Sequence, residues 1–586
     1  MVTMMSWFVN FLKKNKFYLI ILFFILCGIG LRSFLLRQFP FYDEWFWIQS
    51  AKEMLFYNYK VPNHPPLSVI FYIFSAKIFN ATLLTARLSI LFLWIINMGI
   101  FCIILKELKK SKTFILFTLF FIIFSIYGVF SSIQIDIDGQ ILLLPLLLSL
   151  LFYLKYEKTH KSLFLLLTGV SIGWGMLTKF TAIIFFGIIF LYRILNLFVN
   201  NKKVLKKKEK IKLVLIELFT TGMVAGVIFS TYVLIYFYLG DQVILGAFSH
   251  GISQISNNSI NFFNFITSTF NGFIWIGPLF VLSLFLAIPY IKKERGDLLM
   301  LSWLTVTLLF YLIVVGLQAK PLEKYLTILI PVWAYLSSKA FIEVIWKSFK
   351  QKREKWDMFL LIVGFTLFFV IVFIQLNNST TEFLSFYPKS EYVQNVINLD
   401  WNFFFPISGT SGPLGFYLSF LSVGFMMVSS LILFILAIVF IVLKSKNYLR
   451  FTVIVIVAIN FAFAGYMYSE YAFGNFNQDV DDVSWRTLEY LEDNSLKEPI
   501  YIFRNFAFRY YLEDIYDNIR WFDFNQENNH SFVQEMIHSR GTVVIIDFPR
   551  INPNSEIIKG LKNCKLRKVF YDHNFPLSRI YSCNVQ

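Results

Sequence analysis

Charge is the first thing this sequence lacks. Only 15% of its 586 residues are Asp, Glu, Lys or Arg, while 57% are hydrophobic and the mean hydropathy is +0.63. A soluble chain of this length needs far more polar surface, so the solvent it suits is a bilayer. Cysteine is scarce as well, and four of them exclude a disulfide scaffold. Cys27 and Cys102 fall inside apolar runs; Cys564 and Cys583 lie near the polar C-terminus, where an oxidising compartment would let them pair. No carboxylate sits near the middle of an apolar run, which argues against an ion-coupled transporter. Neither a Gly-rich phosphate loop nor a soluble nucleotide-binding domain is visible. No small-residue cleavage site follows the first apolar run, 17–34, so it is expected to be retained as a helix.

Aromatic residues and lysines are abundant instead. There are 71 Phe, 30 Tyr and 13 Trp, and the formal net charge is +17. The lysines do not form a groove for nucleic acid. They cluster between apolar runs, at 13–16, 106–110, 155–161, 202–208, 292–295, 347–355 and 444–450. Threading the chain with its N-terminus in the cytoplasm puts every one of these clusters on the cytoplasmic side, over about thirteen crossings. The segments left on the other side, 37–67, 131–138, 240–263, 318–325 and 377–413, are richer in Asn, Ser, Tyr and Trp. Glu217, Arg193, Lys339 and Glu343 lie near cytoplasmic helix ends, where long side chains are expected to snorkel.

From Gln478 the pattern changes. Strand-like runs at 499–503 and 542–547 alternate with helical patterns at 506–512 and 530–540. The predicted fold class is therefore an all-α polytopic membrane protein of about 13 transmembrane helices with a small C-terminal extracytosolic α/β domain. The expected division is a transmembrane domain over 1–470, with outer-face interfacial helices around 43–80, and an α/β domain over 471–586. The chain is expected in the plasma membrane, its bilayer a partner and nucleic acid not.

The candidate chemistry lies on the outer face. The pair Asp43-Glu44 follows the first helix in an aromatic setting, Phe41-Tyr42-Asp43-Glu44-Trp45-Phe46-Trp47. A carboxylate against apolar rings can reach a pKa useful to a general base; an Asp at a helix start is equally suited to capping. His64 precedes the rigid Pro65-Pro66 pair, as a candidate site residue or as a bystander at a helix start. Asp136 and Asp138 form a D-x-D that two carboxylates alone cannot complete as a metal site; His250 in Phe248-Ser249-His250-Gly251 is a candidate further ligand. Outer cations run against the positive-inside rule, so Arg32, Arg37, Arg87, Lys179, Lys320 and Lys324 are candidates to hold an anion, or to snorkel among headgroups.

In this order the motifs resemble those of the GT-C membrane glycosyltransferases, on the branch of the protein O-mannosyltransferases and the lipid A aminoarabinose transferase. Asp43-Glu44 is similar to that superfamily's outer-loop acidic motif, and His64-Pro65-Pro66-Leu67 to its Pro-Pro-Leu segment. Thr85-Ala86-Arg87-Leu88 resembles the Ala-Arg that opens the following span, and Asp138 the acid that opens the fourth. Gly175-Met176-Leu177-Thr178-Lys179 resembles the Leu-Thr-Lys tip, and Lys320-Pro321-Leu322-Glu323-Lys324-Tyr325-Leu326 the late Lys-Pro-x-x-Tyr-Leu segment. The chain departs from the aminoarabinose enzyme in carrying Asn63-His64 before the prolines, Phe46-Trp47 after the acidic pair and Lys324-Tyr325 in place of Arg-Tyr.

The resemblance implies an inverting transfer of sugar from a polyprenyl-phosphate-linked lipid donor to a lipid, glycan or protein acceptor on the extracytosolic face. Asp43 would be the base, Glu44 and Asp138 would assist, and His64, Arg87, Lys179, Lys320, Lys324 and Tyr325 would bind substrate. A divalent metal ion held by Asp136, Asp138 and His250 is compatible with this reading and not required by it. Two other functions fit a chain of this shape: a non-enzymatic lipid or glycan translocase or assembly component, and an oligosaccharide ligase.

Overall fold

The computed structural model describes most of residues 2–238, residues 294–313 and 323–343, and most of 480–583. The expected outer segments 240–263 and 377–413 lie outside the described residues. The chain divides into two compact units. One comprises Met1–Ser33, Ser50–Ile371 and Ser429–Ala464; the other comprises Phe34–Gln49, Val372–Val428 and Gly465–Gln586.

The first unit is helical. Its described helices are α1 (Val2–Ser33), the end of α2 (Tyr42–Tyr57), α3 (Leu67–Phe79), α4 (Leu83–Glu107), α5 (Lys112–Phe124) and α6 (Ile126–Ser131). They continue with α7 (Leu142–Thr159), α8 (Ser162–Thr178), α9 (Ile183–Val199), α10 (Lys207–Tyr238), α11 (Arg295–Ile313) and α12 (Ile330–Phe341). Among the described residues, five stretches are long and apolar enough to cross a membrane: Asn15–Ser33, Leu83–Glu107, Ile137–Thr159, Phe180–Leu197 and Lys212–Leu234. Leu22, Phe23, Phe92, Phe219 and Leu234 point outward from them, a surface that only lipid makes favourable. The chain is an integral membrane protein.

Local sequence sets the helix ends. Thr82 and Thr85 form a reciprocal capping box at the start of α4, and Ser111 caps α5 by accepting from the Phe114 N–H. The apolar run 113–130 is broken at Ser125. Its extended backbone ends α5, while its hydroxyl accepts from the Gly128 N–H and starts α6. Only glycine fits at 128, because a Cβ there would lie 2.1 Å from the Ile122 carbonyl oxygen. Helices α8 and α10 approach through Gly169 and Gly173, spaced four apart. A Cβ on Gly169 would lie 2.9 Å from the Thr221 carbonyl oxygen, the close backbone approach that small residues permit between membrane helices.

Two buried charge clusters stand where snorkelling was expected. Arg193 grips Glu217 through Nε (2.9 Å) and Nη2 (3.0 Å), and Tyr153 donates to the same carboxylate at 2.9 Å. Glu157 accepts from Arg295 at 2.6 Å and from Tyr192 at 2.8 Å. Lys339 pairs with Asp297, which also accepts from Tyr335 at 2.8 Å. These groups turn inward because a partner inside the bundle is available to each, and a paired, hydrogen-bonded charge tolerates burial. Glu217→Ala is therefore expected to cost about 3 kcal/mol by leaving Arg193 without its bidentate partner, read as a lower midpoint of thermal unfolding in detergent.

The second unit contains an α/β fold. After α13 (Val480–Asp493) come β1 (Ile500–Phe503), α14 (Ala507–Leu512), β2 (Ile519–Phe522), α15 (His530–His538) and β3 (Thr542–Ile546). Helix α16 (Glu556–Leu561) and strands β4 (Lys565–Asp572) and β5 (Phe575–Ser582) complete it. The strand order is β2-β1-β3-β5-β4, parallel among the first three and antiparallel from β3 onward. Residues 500–503 and 542–546 are buried throughout, as expected of strands covered on both faces. Alternation sends Ile500, Ile502, Val544 and Ile546 to one core and Tyr501, Phe503, Val543 and Ile545 to the other.

Cys564 and Cys583 are joined in a disulfide across 19 residues, beside the second of these cores. Closing a loop of that length stabilises by about 3 kcal/mol. Cys564→Ser with Cys583→Ser is expected to lower the stability of this fold by that amount, and mass-tagging of free thiols in denaturant should find two reactive cysteines in the wild type, Cys27 and Cys102, not four.

Candidate active site

Residues 131–138 were expected in an outer segment that opens the fourth span. Every residue of 131–140 is buried, and many of the polar groups there hydrogen-bond inside the first unit. Asp136 caps the turn Ile137–Ile141, which is kinked at Gly139 and precedes α7; its Oδ1 accepts from the Ile137 N–H (2.6 Å) and the Asp138 N–H (3.4 Å). The Asp136 carbonyl accepts from the Tyr72 hydroxyl at 3.1 Å. Gln140 donates to the Ser131 carbonyl at 3.3 Å, while Asn97, inside the apolar helix α4, donates to Gln140 at 2.9 and 3.0 Å. The backbone of this turn is thus fixed from three directions.

Its purpose is to hold Asp138. That side chain is 3% exposed and pairs with Lys179, the extended residue that ends α8. The Lys179 ammonium also lies 4.6 Å from the centre of the Tyr325 ring, and is 18% exposed. Tyr325 stacks on Tyr311 of α11, with centroids 5.6 Å apart and planes 8° from parallel. Thr327, on the same short 3-10 stretch Glu323–Leu329, donates to the Asp138 carbonyl at 2.7 Å. A lysine held between a carboxylate and an aromatic face has a defined direction. An array of this kind can bind and stabilise an anionic oxygen.

Of the residues singled out in sequence, Asp138, Lys179 and Tyr325 therefore come together, with Asp136 immediately beside them. Arg87 is buried in α4. Arg32 serves the bundle: its guanidinium donates to the Gly28 (2.8 Å), Ile123 (3.3 Å) and Gly128 (3.0 Å) carbonyls and stacks 4.0 Å over Trp94. Arg37 is exposed. His64, His250 and Lys320 lie outside the described residues, as does the side chain of Lys324. Among the described residues, no three His, Cys, Asp or Glu side chains gather as a metal site. In the expected metal set, the Asp138 carboxylate is taken up by Lys179 and an Asp136 oxygen by two backbone N–H groups.

Asp43 and Glu44 belong to the second unit. Asp43 lies in the first turn of α2, and Glu44 is wholly buried. Sequence reading missed Asn97, Gln140, Tyr311, Thr327 and Tyr72. Asn97 carried a usable signal, an amide in an otherwise apolar span. The tyrosines and the threonine were lost among many like them.

Residues 63–239 match the family model described as dolichyl-phosphate-mannose-protein mannosyltransferase. No curated protein matches the chain in sequence. Among solved structures, ArnT from Cupriavidus metallidurans in the apo state is similar with a TM-score of 0.53 at 12% identity, over 96% of this chain and 98% of that one. ArnT from the same organism bound to undecaprenyl phosphate gives 0.50 at 11% identity over the same shares. At such identities the likeness is one of fold. The family match over residues 63–239 and the likeness of fold agree with the class read from the motifs, that of the GT-C membrane glycosyltransferases. Within that class, the matched family is that of the dolichyl-phosphate-mannose-protein mannosyltransferases.

Proposed function

We propose that this protein transfers one sugar from a polyprenyl-phosphate-linked donor to a hydroxyl or amine acceptor on the extracytosolic membrane face, with inversion at the anomeric carbon. The observation that carries the proposal is the Asp138–Lys179–Tyr325 array, a fixed cation beside an aromatic face within an apolar helical unit. Binding of undecaprenyl phosphate by the ArnT of similar fold supports a lipid phosphate as the anion.

In this reading Asp43 removes the acceptor proton as the acceptor attacks the anomeric carbon. The new glycosidic bond forms as the bond to the phosphate oxygen breaks, and polyprenyl phosphate leaves with one more negative charge. Lys179 meets that growing charge, which stabilises the transition state more than the ground state. Asp138 holds Lys179 in direction, and Tyr325 shields it. Arg87, Lys320, Lys324 and His64 are proposed to bind the donor, and Glu44 to support Asp43; these five roles rest on the sequence resemblance. Neither Asp43 nor any other group is assigned a metal.

The proposed topology has about thirteen crossings, the N-terminus cytoplasmic and the α/β fold of 471–586 outside. The lysine clusters support this orientation, and the Cys564–Cys583 disulfide supports an oxidising surrounding for the C-terminal fold. The test is sugar transfer by purified protein in liposomes, offered a panel of polyprenyl-phosphate monosaccharides and, separately, nucleotide sugars. Transfer from the lipid donors alone is expected. Transfer from nucleotide sugars, or passage of intact lipid between leaflets without transfer, would contradict the proposal.

A further inference from the structure

Two aromatic side chains bracket the Asp43-Glu44 pair in sequence, and both are inserted into the core of the α/β fold. Phe39 is 3% exposed and Trp45 is 9% exposed, and they share one core with Leu488, Leu491, Ile500, Ile502, Phe508, Val544 and Ile580. The Phe39 ring meets Phe508 at 4.8 Å, Trp485 at 4.9 Å and Tyr511 at 6.0 Å, while Trp485 and Tyr511 contact each other at 5.6 Å. The socket is thus built by α13, which bears Trp485, and by α14, which bears Phe508 and Tyr511. Tyr516 ties the end of α13 in place, donating to the Leu491 carbonyl at 2.7 Å. Phe46 packs against the same core, and Leu35 and Leu36 are buried on the approach to Phe39.

We infer that Phe39 and Trp45 are positioning residues, and that a function of the C-terminal α/β fold is to mount the acidic pair of α2 through them. Aromatic residues at a membrane face ordinarily serve as an interfacial belt, with rings among headgroups. These two are spent differently: they are core residues of a fold whose other members lie more than four hundred positions away in the chain. Such an arrangement removes rotational and translational freedom from the segment between them, which is what a base must lack to act in a transition state. The chain invests in this on both sides of the acids. Phe39 fixes the entry to α2, and Trp45 fixes the first turn from its other end.

This inference rests on the reading of Asp43 as the base, and its test separates the two. Phe39→Ala is compared with Phe39→Tyr, which keeps the ring, and with Ile545→Ala, which opens a cavity in the opposite core of the same sheet. Hydrogen exchange of α2 is measured beside transfer kinetics. In Phe39→Ala, amides in the first turns of α2 should exchange at least ten-fold faster than in wild type, and kcat should fall at least ten-fold with the KM for lipid donor within about two-fold. Phe39→Tyr should restore both, and Ile545→Ala should lower stability while leaving α2 exchange and kcat near wild type. Unchanged α2 exchange in Phe39→Ala would overturn the inference, as would equal losses of kcat in Phe39→Ala and Ile545→Ala. Faster α2 exchange in a protein whose wild type transfers no sugar would uphold the mounting and discard the transfer reaction.

Discussion

Asp43→Asn is expected to reduce sugar transfer about a thousand-fold, the middle of the range that a positioned general base supplies. The substitution keeps the size of the side chain and its place in the first turn of α2, and removes only the ability to accept a proton. Donor binding should persist, because no part of the donor's phosphate is assigned to Asp43. The loss should therefore appear in kcat, with little change in KM for the lipid donor. The check is a pair of progress curves at saturating donor together with a thermal unfolding curve of each protein. Activity within ten-fold of wild type would remove Asp43 from the base role.

Lys179→Met should cost about a hundred-fold, the scale found when one donor to a developing oxyanion is removed. Methionine preserves much of the aliphatic length, so Tyr325 and Tyr311 can keep their stack, while the charge is lost. The same change leaves the Asp138 carboxylate buried without its lysine, which adds an instability of its own. Lys179→Met combined with Asp138→Asn separates the terms, since the second substitution removes the orphaned charge. The double variant should recover stability and not recover activity. If it regains transfer, Lys179 acts only as a counter-ion to Asp138, and the leaving phosphate is stabilised elsewhere.

Much of this site could be read from the sequence because its strongest elements follow simple rules. Lys179 stood out as a cation outside the cytoplasmic clusters, and Asp138 as an acid at the start of an apolar run; the structure pairs them across 41 positions. The strand-like runs at 499–503 and 542–547 appear as β1 and β3, and the helical patterns at 506–512 and 530–540 as α14 and α15, each shifted by at most two residues at an end. These signals are local, so a single chain displays them.

What escaped was relational. Glu217 and Arg193 looked like snorkelling ends because sequence shows depth along a helix and not which neighbour faces it; the bidentate pair forms across two helices. Residues 131–138 looked like a loop because they are polar. Their polar groups are instead spent on one another and on Asn97, Tyr72 and Thr327, whose identity as partners no spacing rule reveals. The core role of Phe39 and Trp45 was hidden for a similar reason: membrane face and domain core both favour aromatic rings. Arg32 looked like an anion holder, and backbone carbonyls freed near the break at Ser125 claim it first.

The central claim is that the reaction splits a polyprenyl monophosphate sugar at its anomeric carbon. It is tested most directly by mass spectrometry of the lipid product in a single-turnover reaction with purified protein. The account predicts one polyprenyl monophosphate released for each sugar transferred, with the anomeric configuration of the product opposite to that of the donor. Release of a polyprenyl diphosphate, retention of configuration, or recovery of unaltered donor from the other leaflet would contradict it.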